Sequence, residues 1–166
     1  MSLNNINLSP YLIAQLYQNV LIEEDKLKTF AQAETTTDWK YLGNNAKNVL
    51  VAVNYQQVTH LPDEQLDFLS KIINSCKLSM EDICLLNLHN YPNVAYDVLL
   101  KKFNSRIILL FGITTNHFGF PFEIPAFQVQ QYDKYTIIHS PALQDIKNDE
   151  KARGQLWKGL KKIFNI

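Results

Sequence analysis

Asn87 and His139 each stand where an apolar run gives way to polar residues. An amide at the end of a buried strand offers one acceptor and two donors, the pattern that reads the edge of a nucleobase. The competing reading is an asparagine that caps its own turn. A histidine at a strand end can stabilise negative charge developing on a ligand carbonyl. The competing reading of His139-Ser140-Pro141 is a strand stop with proline as the signal. The other histidines, His60, His89 and His117, fall in loops or at strand ends with no metal-ligand spacing, so no metal site is expected. HExxH, CxxC and GxSxG are absent from the chain. No glycine-rich loop follows any strand, and close backbone approach to a phosphate needs glycine. That weighs against the nucleotide-binding readings of an alternating chain.

The elements that must position these residues are three continuous apolar runs. They lie in Asn48-Val49-Leu50-Val51-Ala52-Val53-Asn54-Tyr55-Gln56-Gln57, Asp82-Ile83-Cys84-Leu85-Leu86-Asn87 and Arg106-Ile107-Ile108-Leu109-Leu110-Phe111-Gly112, apolar stretches bounded by polar residues or glycine. Each is too short for a helix and reads as a strand buried on both faces. Helical segments separate them. Pro62 opens one whose inner face is Leu66, Leu69, Ile72, Ile73 and Cys76. A second runs from about Val94 to Phe103, with Val94, Val98, Leu99 and Phe103 inward. Strand, helix, strand, helix, strand predicts a parallel sheet with right-handed crossovers, whose ligands bind where the carboxyl ends emerge. That edge carries Asn54-Tyr55-Gln56, Asn87-Leu88-His89 and Gly112.

The flanking segments are read from weaker signals. Ser9-Pro10 opens a first helix, capped by the serine and with proline in its first turn. Trp39 to Gly43 is a short edge strand or a packed loop. Phe127 to Tyr132 alternates as a half-exposed strand, and Tyr135 to His139 is a further strand. The stretch from Thr114 to Pro125, with Phe118, Phe120 and Phe122, reads as an aromatic loop: a partner surface or a lid over the core. Asn148-Asp149-Glu150 opens a final helix to about Phe164, with Leu156, Trp157 and Leu160 on its inner face. Its cationic end is a weak nucleic-acid signal, and the plainer reading is a solvated helix face.

Composition excludes several classes. The chain has 166 residues, 46% hydrophobic, with a formal net charge of zero. That suits one domain over 1–166, with 1–9 as a flexible amino-terminal arm, and gives no general attraction to nucleic acid or anionic lipid. Two cysteines in apolar context, Cys76 and Cys84, read as buried thiols in a reducing compartment. No run is long enough to span a membrane, and the amino terminus lacks the marks of a signal peptide. A cytoplasmic protein without cofactor is the expectation.

Taken in order, the motifs resemble the uracil-DNA glycosylase superfamily. Asp82-Ile83-Cys84-Leu85-Leu86-Asn87-Leu88, followed by Pro92, is similar to the strand ending in the uracil-reading asparagine. Arg106 to Gly112 is similar to the next strand, which ends in glycine. Ile137-Ile138-His139-Ser140-Pro141-Ala142-Leu143, with a terminal helix, is similar to the His-Pro-Ser-Pro-Leu end motif. The resemblance implies a three-layer α/β/α sandwich with a mainly parallel sheet of four to five strands. In an active member, Asn54 would position a water, His139 would assist catalysis, and Tyr55, Asn87 and Ser140 would hold the base. The first motif departs from that pattern: Val53-Asn54-Tyr55-Gln56-Gln57 has neither glycine nor carboxylate. The end motif lacks a proline directly after its histidine, and the cysteines of the iron–sulfur branch are absent.

A non-catalytic relative fits those departures. The psi subunits of the bacterial DNA polymerase III clamp-loader assembly share this size, a short polar amino-terminal extension, a degenerate first loop and a closing Trp-x-x-Leu helix, here Trp157 and Leu160. This resemblance implies no catalytic residues and a protein partner, a clamp-loader or single-strand-binding-linked subunit, met through Ser2 to Ser9. Nucleic acid is a weaker candidate partner. The alternative is a nucleobase-recognising enzyme with an atypical first motif.

Overall fold

The three apolar runs form adjacent strands, and their registers fix where every candidate residue lies. The structure, a computed structural model, describes residues 38–166. The predicted arm and the helix opened by Ser9-Pro10 lie outside the described residues, as does part of the predicted single domain. Lys40–Ile166 forms one compact unit. In chain order it contains β1 (Tyr41–Leu42), β2 (Val49–Val53), α1 (Asp63–Ser75), β3 (Ile83–Asn87), α2 (Tyr96–Lys102) and β4 (Ile107–Phe111). Then come α3 (Thr115–Phe118), β5 (Val129–Tyr132), β6 (Tyr135–Ser140), α4 (Leu143–Asn148) and α5 (Glu150–Phe164). The class is α/β.

The sheet has six strands in the order β1-β3-β2-β4-β6-β5. The pairings β3-β2, β2-β4 and β4-β6 are parallel, and the edge pairings β1-β3 and β6-β5 are antiparallel. The sheet is therefore mixed and one strand wider than four to five. The added strand is Tyr41–Leu42, two residues that pair with Leu86 and Leu85 and cover the outer edge of β3. Such a short edge strand leaves little open ladder for another chain to pair with.

Alternation along the strands sorts side chains onto two faces. Val51, Val53, Leu85 and Phe111 share one packed cluster with Leu69 and Ile73 of α1, Ile146 of α4 and Leu156 of α5. The intervening residues Leu50, Ala52, Cys84, Leu86, Ile108 and Leu110 are buried as well. Both faces of the parallel strands are therefore covered, which explains the absence of polar alternation in their sequence.

Three local readings are refined. Of the two readings of the aromatic stretch, its packing is that of a lid over the core: Phe118 and Phe120 are buried, and Phe120 lies 4.8 Å from Tyr96 and 5.3 Å from Phe122 between ring centroids. Within it, Thr114 caps the one-turn helix α3 by accepting from the His117 amide, and Gly119 ends it at φ +110. In α2, Val98 is exposed and Leu99, Leu100 and Phe103 are buried, because the helix begins at Tyr96 and its inner face starts one residue later. The final helix, α5, opens and ends where the sequence places it: the Asp149 carboxylate caps it by accepting from the amides of Lys151 and Ala152. Helix α4, a six-residue piece ahead of it, is the element the sequence reading leaves out.

Candidate functional site

The carboxyl ends of four parallel strands come out in one row. Val53 pairs in register with Asn87 and with Phe111, and Phe111 pairs with Ser140. Asn54, Asn87 and His139 therefore stand along one edge of the sheet, as the sequence leads one to expect. Sharing an edge does not make them converge. Neighbouring strands are about 4.8 Å apart, so β3 and β6, three spacings apart, are separated by roughly 14 Å. Alternation adds a second separation. Asn87 and Ser140 occupy the row of Val53 and Phe111, which faces α1, α4 and α5, whereas His139 occupies the opposite row with Leu110.

Asn87 is fully buried, and its amide is fully used. Oδ1 accepts from the backbone N–H of Tyr55 at 3.0 Å and of His89 at 3.3 Å. Nδ2 donates to the carbonyls of Tyr55 at 2.8 Å and Val58 at 2.9 Å. A carboxamide has two acceptor sites and two donors, so no valence is left for a base edge. Asn87 clamps the turn that follows β2 and caps its own turn as well. Asn90 extends the clamp by donating to the Thr59 carbonyl at 2.9 Å.

The other expected site residues are similarly engaged. The His139 ring donates through Nε2 to the carbonyl of Ile124. A carbonyl only accepts, so that nitrogen carries the proton and Nδ1 is left as the acceptor. Ser140 is buried, and its single hydroxyl proton has two carbonyls within reach, Pro141 at 3.2 Å and Leu110 at 3.5 Å. Tyr55 is engaged by packing: it lies against the core cluster, and its buried hydroxyl has no hydrogen-bond partner among the described residues. Burial pushes its phenol up, opposed by the nearby backbone amides of Gln144 and Leu143 at the start of α4.

Asn54 alone of the expected set is exposed and free of these contacts. It lines a cleft of about 440 Å3 with Leu88, His89, Pro92, Ile113 and His117. This is the cleft the sheet topology calls for, between the ends of β3, β2 and β4. Among the described residues its polar side chains are one amide and two imidazoles, with no carboxylate. Sequence reasoning gave His89 and His117 no role here; the available signal was their position just past β3 and β4. Gly112 precedes this wall with φ +71, and a Cβ there would meet the Ala142 Cβ at 3.2 Å. Only glycine lets β4 turn this tightly against the start of α4.

Among the described residues no cluster of three or more His, Cys, Asp or Glu is placed to hold a metal ion. Cys76 and Cys84 are free and buried. Burial raises their thiols to about 11 and about 12, so neither is a poised nucleophile at neutral pH. No helix among the described residues is long and apolar enough to cross a membrane. No protein-family model and no curated protein matches the chain.

Proposed function

We propose that this is a non-enzymatic protein of uracil-DNA glycosylase-like fold, a three-layer α/β/α sandwich, that works through contacts with other proteins. Its nearest functional analogue is a psi-like cytoplasmic accessory of the replication clamp loader. The observation that carries this reading is the saturated Asn87 amide: the group that would read the base is spent on the backbone of the preceding loop. Two further observations support it. Among the described residues the strand-end cleft has no carboxylate to activate water. His139, the other residue assigned to chemistry, is tied to the Ile124 carbonyl and faces away from Asn87.

Two measurements test the proposal. Purified full-length protein, incubated with uracil-containing single- and double-stranded DNA, is expected to generate no abasic sites. Recovery of partners from native cytoplasm, with the full chain and with the residues before Ser9 removed, is expected to yield clamp-loader or single-strand-binding components in an arm-dependent way. Uracil excision that disappears in Asn54→Ala would overturn the proposal.

The second reading, a nucleobase-recognising enzyme, is favoured by one observation. The cleft at Asn54, His89 and His117 has a volume within the range of small-ligand sites. Retention of the protein on an immobilised nucleobase, abolished by Asn54→Ala, with no protein partner recovered, would favour it.

A further inference from the structure

On the sheet face that they cover, α1, α4 and α5 leave a gap between them. Helix α4 packs against both α1 and α5. It has six residues, while its neighbours have 13 and 15. At 1.5 Å per residue, α4 is about 9 Å long and its neighbours about 20 Å. Where the three meet lies a groove of about 190 Å3, lined by Phe68 and Ile72 of α1, Ile146 of α4, and Leu156, Trp157 and Leu160 of α5. An apolar cavity of about 150 Å3 already admits a benzene ring, so this one has room for one aromatic side chain.

The rim of the groove is cationic. Lys71 lines it from α1 and Arg153 from α5. Neither makes an ion pair among the described residues, although Arg153 donates to the Lys147 carbonyl. Lys161 stands over the Trp157 ring, 5.5 Å from its centroid. Among the described residues no carboxylate lines the groove. In a chain of zero net charge, α5 gathers five Lys or Arg against a single Glu. A neutral apolar occupant would leave these cations unanswered, whereas one with carboxylates on either side of its anchor would pair with both walls.

We propose that this groove is the docking site for an acidic segment of a partner protein, one that inserts a single aromatic side chain against Trp157 and pairs its flanking carboxylates with Lys71 and Arg153. The inference rests on the reading that the protein acts through protein contacts, and it gives that reading a surface within the described fold. The anchor supplies affinity by filling the pocket, and the cations supply orientation and encounter rate.

The test uses the full chain and a fluorescein-labelled peptide in which one Phe is flanked on each side by three Asp or Glu. Fluorescence anisotropy is expected to show saturable binding that weakens at least about tenfold when the peptide Phe becomes Ala. A similar loss is expected when Lys71→Glu and Arg153→Glu are combined in the protein. Those two side chains are exposed, so an unchanged thermal melt shows that the double variant still folds. Binding that persists in the double variant, equal binding of a peptide with Lys for every acid, or no saturation below about 1 mM would each overturn the proposal. A concentration-dependent dimer in sedimentation, lost in the double variant, would assign the groove to a second copy instead. Arm-dependent recovery of partners alongside a failed peptide experiment would remove the groove and leave the protein-contact reading standing.

Discussion

Replacing Asn87 by Ala tests the central structural claim. The substitution removes four hydrogen bonds, to Tyr55 N–H, His89 N–H, Tyr55 C=O and Val58 C=O. A typical intramolecular hydrogen bond contributes about 1 kcal/mol net, and a buried partner left unsatisfied costs about 1–3 kcal/mol. The partners here are half-buried, so water can reach some of them, and the lower end applies. The expected loss is about 3–4 kcal/mol, large for one residue but within the range for a broken buried network. The assay is urea unfolding followed by tryptophan fluorescence and by circular dichroism, compared at equal m-value. Asn87→Asp sharpens the test. A carboxylate keeps the two acceptor contacts but faces the Tyr55 and Val58 carbonyls, which repel it. Its folded-state pKa must rise above the ordinary value near 3.9. A raised folded pKa adds stability below the unfolded pKa and loses it as pH rises through the folded value. The variant's deficit relative to wild type should therefore narrow on acidification towards pH 4. An Asn87→Ala loss under about 1 kcal/mol would mean that the amide is not a clamp and is free to meet a ligand.

Other outcomes follow from the same geometry. Trp157→Ala should cost about 1–3 kcal/mol in urea unfolding, less than a fully buried aromatic, because the ring packs on the core yet lines an open groove. Gly112→Ala should lower the melting temperature through a φ of +71 and the 3.2 Å approach of Ala142, at a cost of about 1–2 kcal/mol; calorimetry reads it. Native protein at pH 8 should react slowly with a thiol reagent and release both Cys76 and Cys84 only in denaturant. Their folded pKa values are raised, so their contribution to stability is intact below pH 9 and declines between pH 9 and 12; alkaline titration of the unfolding midpoint shows the sign.

The strands were legible in the sequence because they are buried on both faces, and such runs carry no alternation to confuse with a loop. The shared edge of Asn54, Asn87 and His139 was legible for the same reason: parallel strands that start together end together. The start of α5 was legible too, because Asn148-Asp149-Glu150 is a capping sequence and Asp149 does accept from the amides of Lys151 and Ala152. Helix α4 was not. Ser140-Pro141 reads as a stop, and a six-residue helix is too short to show a period. The one-turn helix at Thr115–Phe118 was hidden by its length as well, although a threonine cap and a closing Gly119 flank it. The groove beside Trp157 could not be read at all, since its walls come from three separate helices.

The limits of the sequence are clearest at Asn87, where one residue supports two opposite conclusions. Its position at the end of a buried strand is what produces the resemblance to a base reader. Its partners lie in the turn after β2, 32 and 29 positions earlier in the chain, and no local pattern reveals them. A turn rich in glycine could hold its own shape and leave the asparagine free. Asn54-Tyr55-Gln56-Gln57 has no glycine, and Gln57 sits at φ +63, a conformation that costs a non-glycine residue energy. Such a turn needs an external clamp, and Asn87 supplies it. The missing glycines and the spent amide are therefore one fact, and together they argue that the strand ends serve the fold. Among the described residues the Asn54 cleft and the cationic groove are the surfaces that invite a test, and of these the groove joins an apolar pocket to cations without an ion pair among those residues.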